Sequence, residues 1–163
     1  DLISISKGLT GGFLPMGITL AKETIFQAFI SDSPKKTFWH GHSFTANPLG
    51  CAAANASLDL LENDPIKYLS FEQKHLYQLK KIKKLPFVKN IRVTGTIAAF
   101  DIEIGKNEGY LNNIGKRIKA LSIKKGLFIR PLGNVIYLLP PLCITDNQLE
   151  KSYGIIFEIL SDL

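Results

Sequence analysis

The feature that most constrains the fold is an imbalance across "ENDPIK", residues 62–67. After this break, helix-period and strand-period segments alternate in the order helix–strand–strand–helix–strand–strand–helix. Before it only two short strands can be read. A small sheet needs three or more strands, or a covering helix, to be stable by itself. The first half is therefore expected to be the end of a larger α/β domain whose earlier strands lie elsewhere. The second half is expected to be a compact α+β unit. The expected boundary falls near residue 63, giving an incomplete domain over 1–62 and a smaller one over 63–163. Asp1 as first residue, with Met16 as the only methionine, adds to the expectation of a fragment.

Local signals place the elements. Leu2–Ser6 reads as a buried strand ending at Lys7, with Gly8, Gly11 and Gly12 behind it. A second strand is expected around Gly17–Ala21, then a helix through Ile30. Asn47 and Pro48 form a helix start, cap followed by first helical position. The small residues from Gly50 to Ala56 suit close helix packing. Pro65 opens a further helix with Leu69, Leu76 and Leu79 at helical spacing, and Pro86 ends it. "NIRVTGTIAAFDIEI" reads as two strands turning at Gly95, with Ala98, Phe100, Ile102 and Ile104 on one face. Leu111, Ile114, Ile118 and Leu121 form an amphipathic stripe, closed by Lys124, Lys125 and Gly126. "LFIRPLGNVIYLLPP" gives two short strands around Pro-Leu-Gly. The last helix opens with a Thr145/Gln148 capping box and buries Leu149, Tyr153, Ile156 and Leu160.

Composition narrows the function classes. The chain has 163 residues, 45% hydrophobic and 21% charged. No run approaches the roughly 18 apolar residues of a membrane span, and the N-terminus has no signal-peptide pattern. Cys51 and Cys143 sit among apolar or small residues, so two buried thiols and a reducing, cytoplasmic setting are expected. The net charge of +6 owes part of its excess to Lys80, Lys81, Lys83 and Lys84. That run lacks interleaved aromatics, so it reads as the solvated end of a helix, and no nucleic-acid partner is expected.

Four features bear on chemistry. Lys7 is either a solvated strand end or an amine that, desolvated beside glycine-rich backbone, can form an imine. In "WHGHSFTANP", His40 and His42 lack a third ligand, so no metal site is expected. The same loop precedes a helix start, where Ser43 and Thr45 are either turn residues or hydroxyl donors to an anion. Arg130 is either a surface residue with an apolar stem or a fork for a carboxylate. Tyr137 is either core or part of a pocket.

Taken together, "SKGLTGGFLPMG", "HGHSFTANPLGCAAANASLDLLE" and "GLFIRPLGNVIYLLPP" resemble the C-terminal part of the class III pyridoxal-phosphate-dependent aminotransferases, fold type I. The lysine segment carries the class. The other two point to the branch that serves biotin synthesis. The resemblance implies the end of the large cofactor-binding domain over 1–62 and the small C-terminal domain over 63–163. It implies that Lys7 holds pyridoxal 5'-phosphate as an internal aldimine and moves the proton. His42 and Ser43 would contact the cofactor, Ser43 from the neighbouring subunit of a homodimer. Gly41, Arg130 and Tyr137 would bind substrate, Arg130 through a carboxylate. His42 and Ser43 replace a Pro-Thr pair of some members, which keeps a hydroxyl. The implied reaction converts 8-amino-7-oxononanoate to 7,8-diaminononanoate with S-adenosylmethionine as amino donor, lysine being the donor in some members. The family's phosphate loop, ring-stacking aromatic and ring-pairing aspartate match nothing in this chain, so the chain alone is expected to be inactive. Two alternatives stand beside this reading: a class III aminotransferase for ω-amino acids, and a non-catalytic remnant of the fold.

Overall fold

The computed structural model describes residues 1–63, 70–104 and 113–163. Proximity of Cα atoms divides the chain into two compact units, Asp1–Pro65 and Ile66–Leu163.

In the first unit, β1 (Leu2–Ile5) pairs antiparallel with β2 (Ile18–Ala21), Leu2 opposite Ala21 and Ile5 opposite Ile18. The expected burial of β1 is not found. All four of its residues are exposed, because within this unit the ribbon has no layer over either face. Helix α1 (Glu23–Gln27) stops short of the expected Ile30. It buries no residue and has no side-chain cap, so nothing offsets the cost of extending it. Helix α2 (Pro48–Asn63) starts where the cap residue predicts: the Gly50 N–H donates to Asn47 Oδ1 at 3.1 Å. Gly50 and Ala54 are its buried residues. A Cβ on Gly50 would lie 2.9 Å from Asn47 Nδ2 and 3.2 Å from Met16 Sδ, so the strip after the glycines passes tight against the start of α2.

The second unit holds a three-stranded antiparallel sheet in the order β3–β4–β5, formed by Val88–Thr94, Ile97–Ile102 and Val135–Leu138. Gly95, at φ +55°, makes the β3–β4 turn. Helices α3 (Phe71–Ile82), α4 (Ile114–Lys124) and α5 (Asp146–Ser161) complete one core with the sheet. Ala98, Phe100 and Ile102 from β4 meet Ile82, Ile118, Ile136 and Ile156, all essentially inaccessible to water. Each of the isoleucines and Phe100 contributes about 1.5–3 kcal/mol. The capping box is present: the Gln148 N–H donates to Thr145 Oγ1 and the Thr145 N–H to Gln148 Oε1. Gly126, at φ +79°, follows α4 as its stop.

Several expectations are corrected. Leu76 is 45% exposed, and the buried face of α3 is Phe71, His75, Leu79 and Ile82. Ile104 lies beyond the end of β4 and is exposed. Only β5 forms around Pro-Leu-Gly. Residues 127–130 make no ladder, and Pro131 has no N–H to extend one. Cys143 is exposed and Cys51 half-buried, and both are free thiols rather than buried ones. Pro65, Leu69 and Leu111 lie outside the described residues.

Candidate functional site

Lys7 follows β1 and opens a tight 3₁₀ turn, Lys7–Thr10. The Leu9 N–H donates to Ser6 O and the Gly11 N–H to Gly8 O, each at 3.0 Å. Lys7 itself has φ +32°, in the left-handed region that non-glycine residues rarely adopt. Such backbone costs on the order of 1–3 kcal/mol and persists only where neighbouring contacts hold it. The turn packs on α2, and a Cβ on Gly11 would meet Ser57 Oγ at 3.6 Å. The Lys7 side chain is exposed and forms no ion pair among the described residues.

The loop ahead of α2 is organised by its own side chains. The His42 N–H donates to Thr45 Oγ1 at 3.0 Å, and the Phe44 N–H donates to His42 Nδ1 at 3.2 Å. An Nδ1 that accepts leaves the ring proton on Nε2, free to point outward. Ala46 has φ +53°, a second strained non-glycine position beside the cap residue Asn47. His42, Phe44, Thr45 and Asn47 share a cavity of about 330 Å³ with Met16 and Gly17. Gly41 and Ser43 are exposed beside it, and the Ser43 hydroxyl has no partner among the described residues. The Thr45 hydroxyl accepts from the His42 backbone, which makes it part of the turn.

Arg130 and Tyr137 lie in the second unit and line one cavity of about 380 Å³ with Phe128, Pro140, Ile144 and Leu149. Tyr137 is half-buried on β5 opposite Ala99, while Arg130 is exposed. The cavity pairs one guanidinium with a largely apolar wall, a match for a carboxylate on an alkyl chain. The segment after Arg130 is held from two sides. Leu132 and Val135 exchange backbone bonds at 2.9 Å, and the Gly115 N–H of α4 donates to Gly133 O at 3.1 Å.

One residue missed in the sequence is His75. It is fully buried on α3, with Nδ1 2.7 Å from the Tyr153 hydroxyl and Nε2 3.0 Å from the Thr96 carbonyl. A carbonyl only accepts, so Nε2 donates and Nδ1 accepts from Tyr153. Desolvation holds the His75 pKa below its ordinary value despite the bond to Thr96, and burial raises that of Tyr153. His75 ties α3 to α5 and to the β3–β4 turn. Its only sequence signal was its i+4 spacing from Phe71 and from Leu79.

A family model described as aminotransferase class-III matches residues 1–160. The adenosylmethionine-8-amino-7-oxononanoate aminotransferase of Synechococcus elongatus is 50% identical over the whole chain, and that of Geobacter sulfurreducens is 39% identical over 92% of it. The chain spans only 38% and 35% of these two relatives. Among solved structures, the enzyme of that name from Methanocaldococcus jannaschii superposes on 99% of the chain with a TM-score of 0.87 at 31% identity. The matched part is 39% of that structure.

Proposed function

The chain belongs to the class-III aminotransferase family, and on that premise we propose that the complete protein aminates 8-amino-7-oxononanoate to 7,8-diaminononanoate in biotin synthesis. The observation that carries this reading is the Lys7 turn: an exposed, unpaired amine on strained backbone, in a chain half identical to a relative of that name. The two domains are assigned as the end of the cofactor-binding domain, 1–62, and the small C-terminal domain, 63–163.

The family implies pyridoxal 5'-phosphate. When bound, it supplies an aldehyde that takes up an amine and a ring that draws electrons from the carbon bearing it. The chain's own residues suit this group. Among the described residues no carboxylate pairs with the Lys7 amine, and the Ser43 hydroxyl is left open for the phosphate. His42, next to Ser43 in sequence, presents Nε2–H. In this reading Lys7 is the residue that would hold the cofactor, through its exposed Nζ. When not engaged there, the Lys7 Nζ would take a proton from the donor carbon and give one to the acceptor carbon, base and acid in turn. Gly41 and Tyr137 shape the substrate path. Arg130 pairs with the acceptor's carboxylate and fixes which end of the chain reaches the reacting centre. The donor is S-adenosylmethionine, and the working form is a cytoplasmic homodimer in which Ser43 serves the neighbouring subunit's site.

Growth of a biotin-requiring strain that lacks this amination step tests the reading. The complete gene is expected to restore growth without biotin, and its Lys7→Ala form is not. Failure of the complete gene, with turnover of ω-amino acids instead, overturns the substrate assignment.

A further inference from the structure

Thr10 is the only buried residue before Gly50, 4% exposed in a segment otherwise open to water. Its hydroxyl makes two bonds to one residue. Thr10 Oγ1 donates to Leu14 O at 2.6 Å and accepts the Leu14 N–H at 3.3 Å. The Phe13 N–H also donates to Thr10 O at 3.1 Å. The loop thus closed runs through Gly11 and Gly12 at φ +62° and +83°, which an L side chain rarely adopts.

The clamp joins two parts of the candidate site. On one side Thr10 ends the turn that Lys7 opens. On the other, Leu14 leads directly into Pro15, Met16 and Gly17, which wall the His42 cavity, and Met16 lies against the start of α2. A strained Lys7 backbone needs neighbours that hold it. Beside its packing on α2, the rest of the turn supplies two local backbone bonds, and the Thr10 hydroxyl adds the side-chain anchor. We propose that Thr10 is a positioning residue for Lys7, its hydroxyl locking the Lys7 turn to the strip that walls the His42 cavity so that the amine is held in its reactive placement. This rests on the reading of Lys7 as the cofactor lysine.

The test uses the complete protein, stripped of cofactor and mixed with pyridoxal phosphate. Borohydride then traps the adduct: Nζ adds to the aldehyde with loss of water, and hydride reduces the resulting C=N bond. Peptide mapping reads the amount trapped at Lys7 against time and pH. Thr10→Val keeps the shape and removes the hydroxyl. It is expected to slow trapping about fivefold, the effect of losing one hydrogen-bonded anchor, and to shift the pH at which trapping is half complete. Thr10→Ser is expected to restore both. Gly12→Ala strains the same loop without crowding any neighbour and is expected to slow trapping in the same direction, which covers the case in which Thr10→Val does not fold. Native trapping in Thr10→Val or Gly12→Ala overturns the proposal, as does equal impairment of the Val and Ser forms. Lys7→Ala separates the two readings: total adduct undiminished in that variant, carried by another lysine, sinks the assignment of Lys7 itself, whatever Thr10 does.

Discussion

Replacing Gly115 with alanine places a methyl where the second unit has no room. The new Cβ would lie 2.2 Å from the Gly133 carbonyl oxygen and 2.8 Å from Pro131 Cβ. Ordinary contact begins near 3.4 Å, so backbone atoms on one side or the other must move by roughly 1 Å. Both obstacles belong to the turn that follows Arg130, which is itself closed by the Leu132–Val135 pair. Overpacking of this kind costs about 1–3 kcal/mol. Separation also breaks the bond from the Gly115 N–H to Gly133 O, worth about 1 kcal/mol. Alanine's better helix propensity returns about 1 kcal/mol at most, and less at the second residue of α4. The net expectation is a loss of about 1–3 kcal/mol. Urea unfolding gives the magnitude, and amide exchange over 114–124 and 135–138 locates it in the second unit. A variant as stable as the native chain, with unchanged protection of β5, would refute the claim that this close approach holds the Arg130 turn.

Other expectations follow from the same structure. His75 is held neutral, so the unfolded chain takes up a proton that the folded chain refuses. Stability is therefore full above the ordinary histidine value near pH 6.5 and falls as pH drops below it. Urea midpoints between pH 8 and 5 should show the fall, and His75→Gln should lose its share of the slope; an identical slope in the variant contradicts the assignment. Thr145→Ala removes the reciprocal cap of α5 and should cost about 1 kcal/mol by thermal or urea unfolding, with no effect from Ser. In the complete enzyme, Arg130→Lys should raise KM for the keto acid about tenfold with a smaller change in kcat, since a point charge replaces a two-pronged fork. A fall in kcat with KM unchanged would place Arg130's contribution in the transition state instead.

What could be read in advance divides by range. Signals that act within four residues were readable: the Asn47 cap, the Thr145/Gln148 box, the Gly95 turn and the Gly126 stop each depend on neighbours in sequence. Leu76 was misjudged because spacing alone fits two overlapping faces of α3. The choice between them was made by a buried hydrogen-bonded histidine, whose partners lie 21 and 78 positions away. Residues 127–130 carry strand-forming side chains, but a strand also needs a partner ladder, and they have none. For the candidate site, residue types and their placement on elements came from the sequence: a lysine after a strand, a hydroxyl-bearing loop before a capped helix, an arginine beside an apolar run. The strain at Lys7 and Ala46, the Thr10 clamp and the tight seat of Gly115 did not. The Gly115 seat arises from packing that no spacing rule encodes, and the Thr10 clamp, though it spans only four residues, matches no cap or turn pattern.

The first experiment is product analysis with the complete protein, supplied with pyridoxal phosphate, 8-amino-7-oxononanoate and S-adenosylmethionine. Mass spectrometry is expected to show 7,8-diaminononanoate with the native protein and none with Lys7→Ala, and borohydride is expected to leave the reduced adduct on Lys7 alone. Diaminononanoate formed by the Lys7→Ala protein at the native rate, or an adduct mapped to another lysine, would contradict the central role given to that residue.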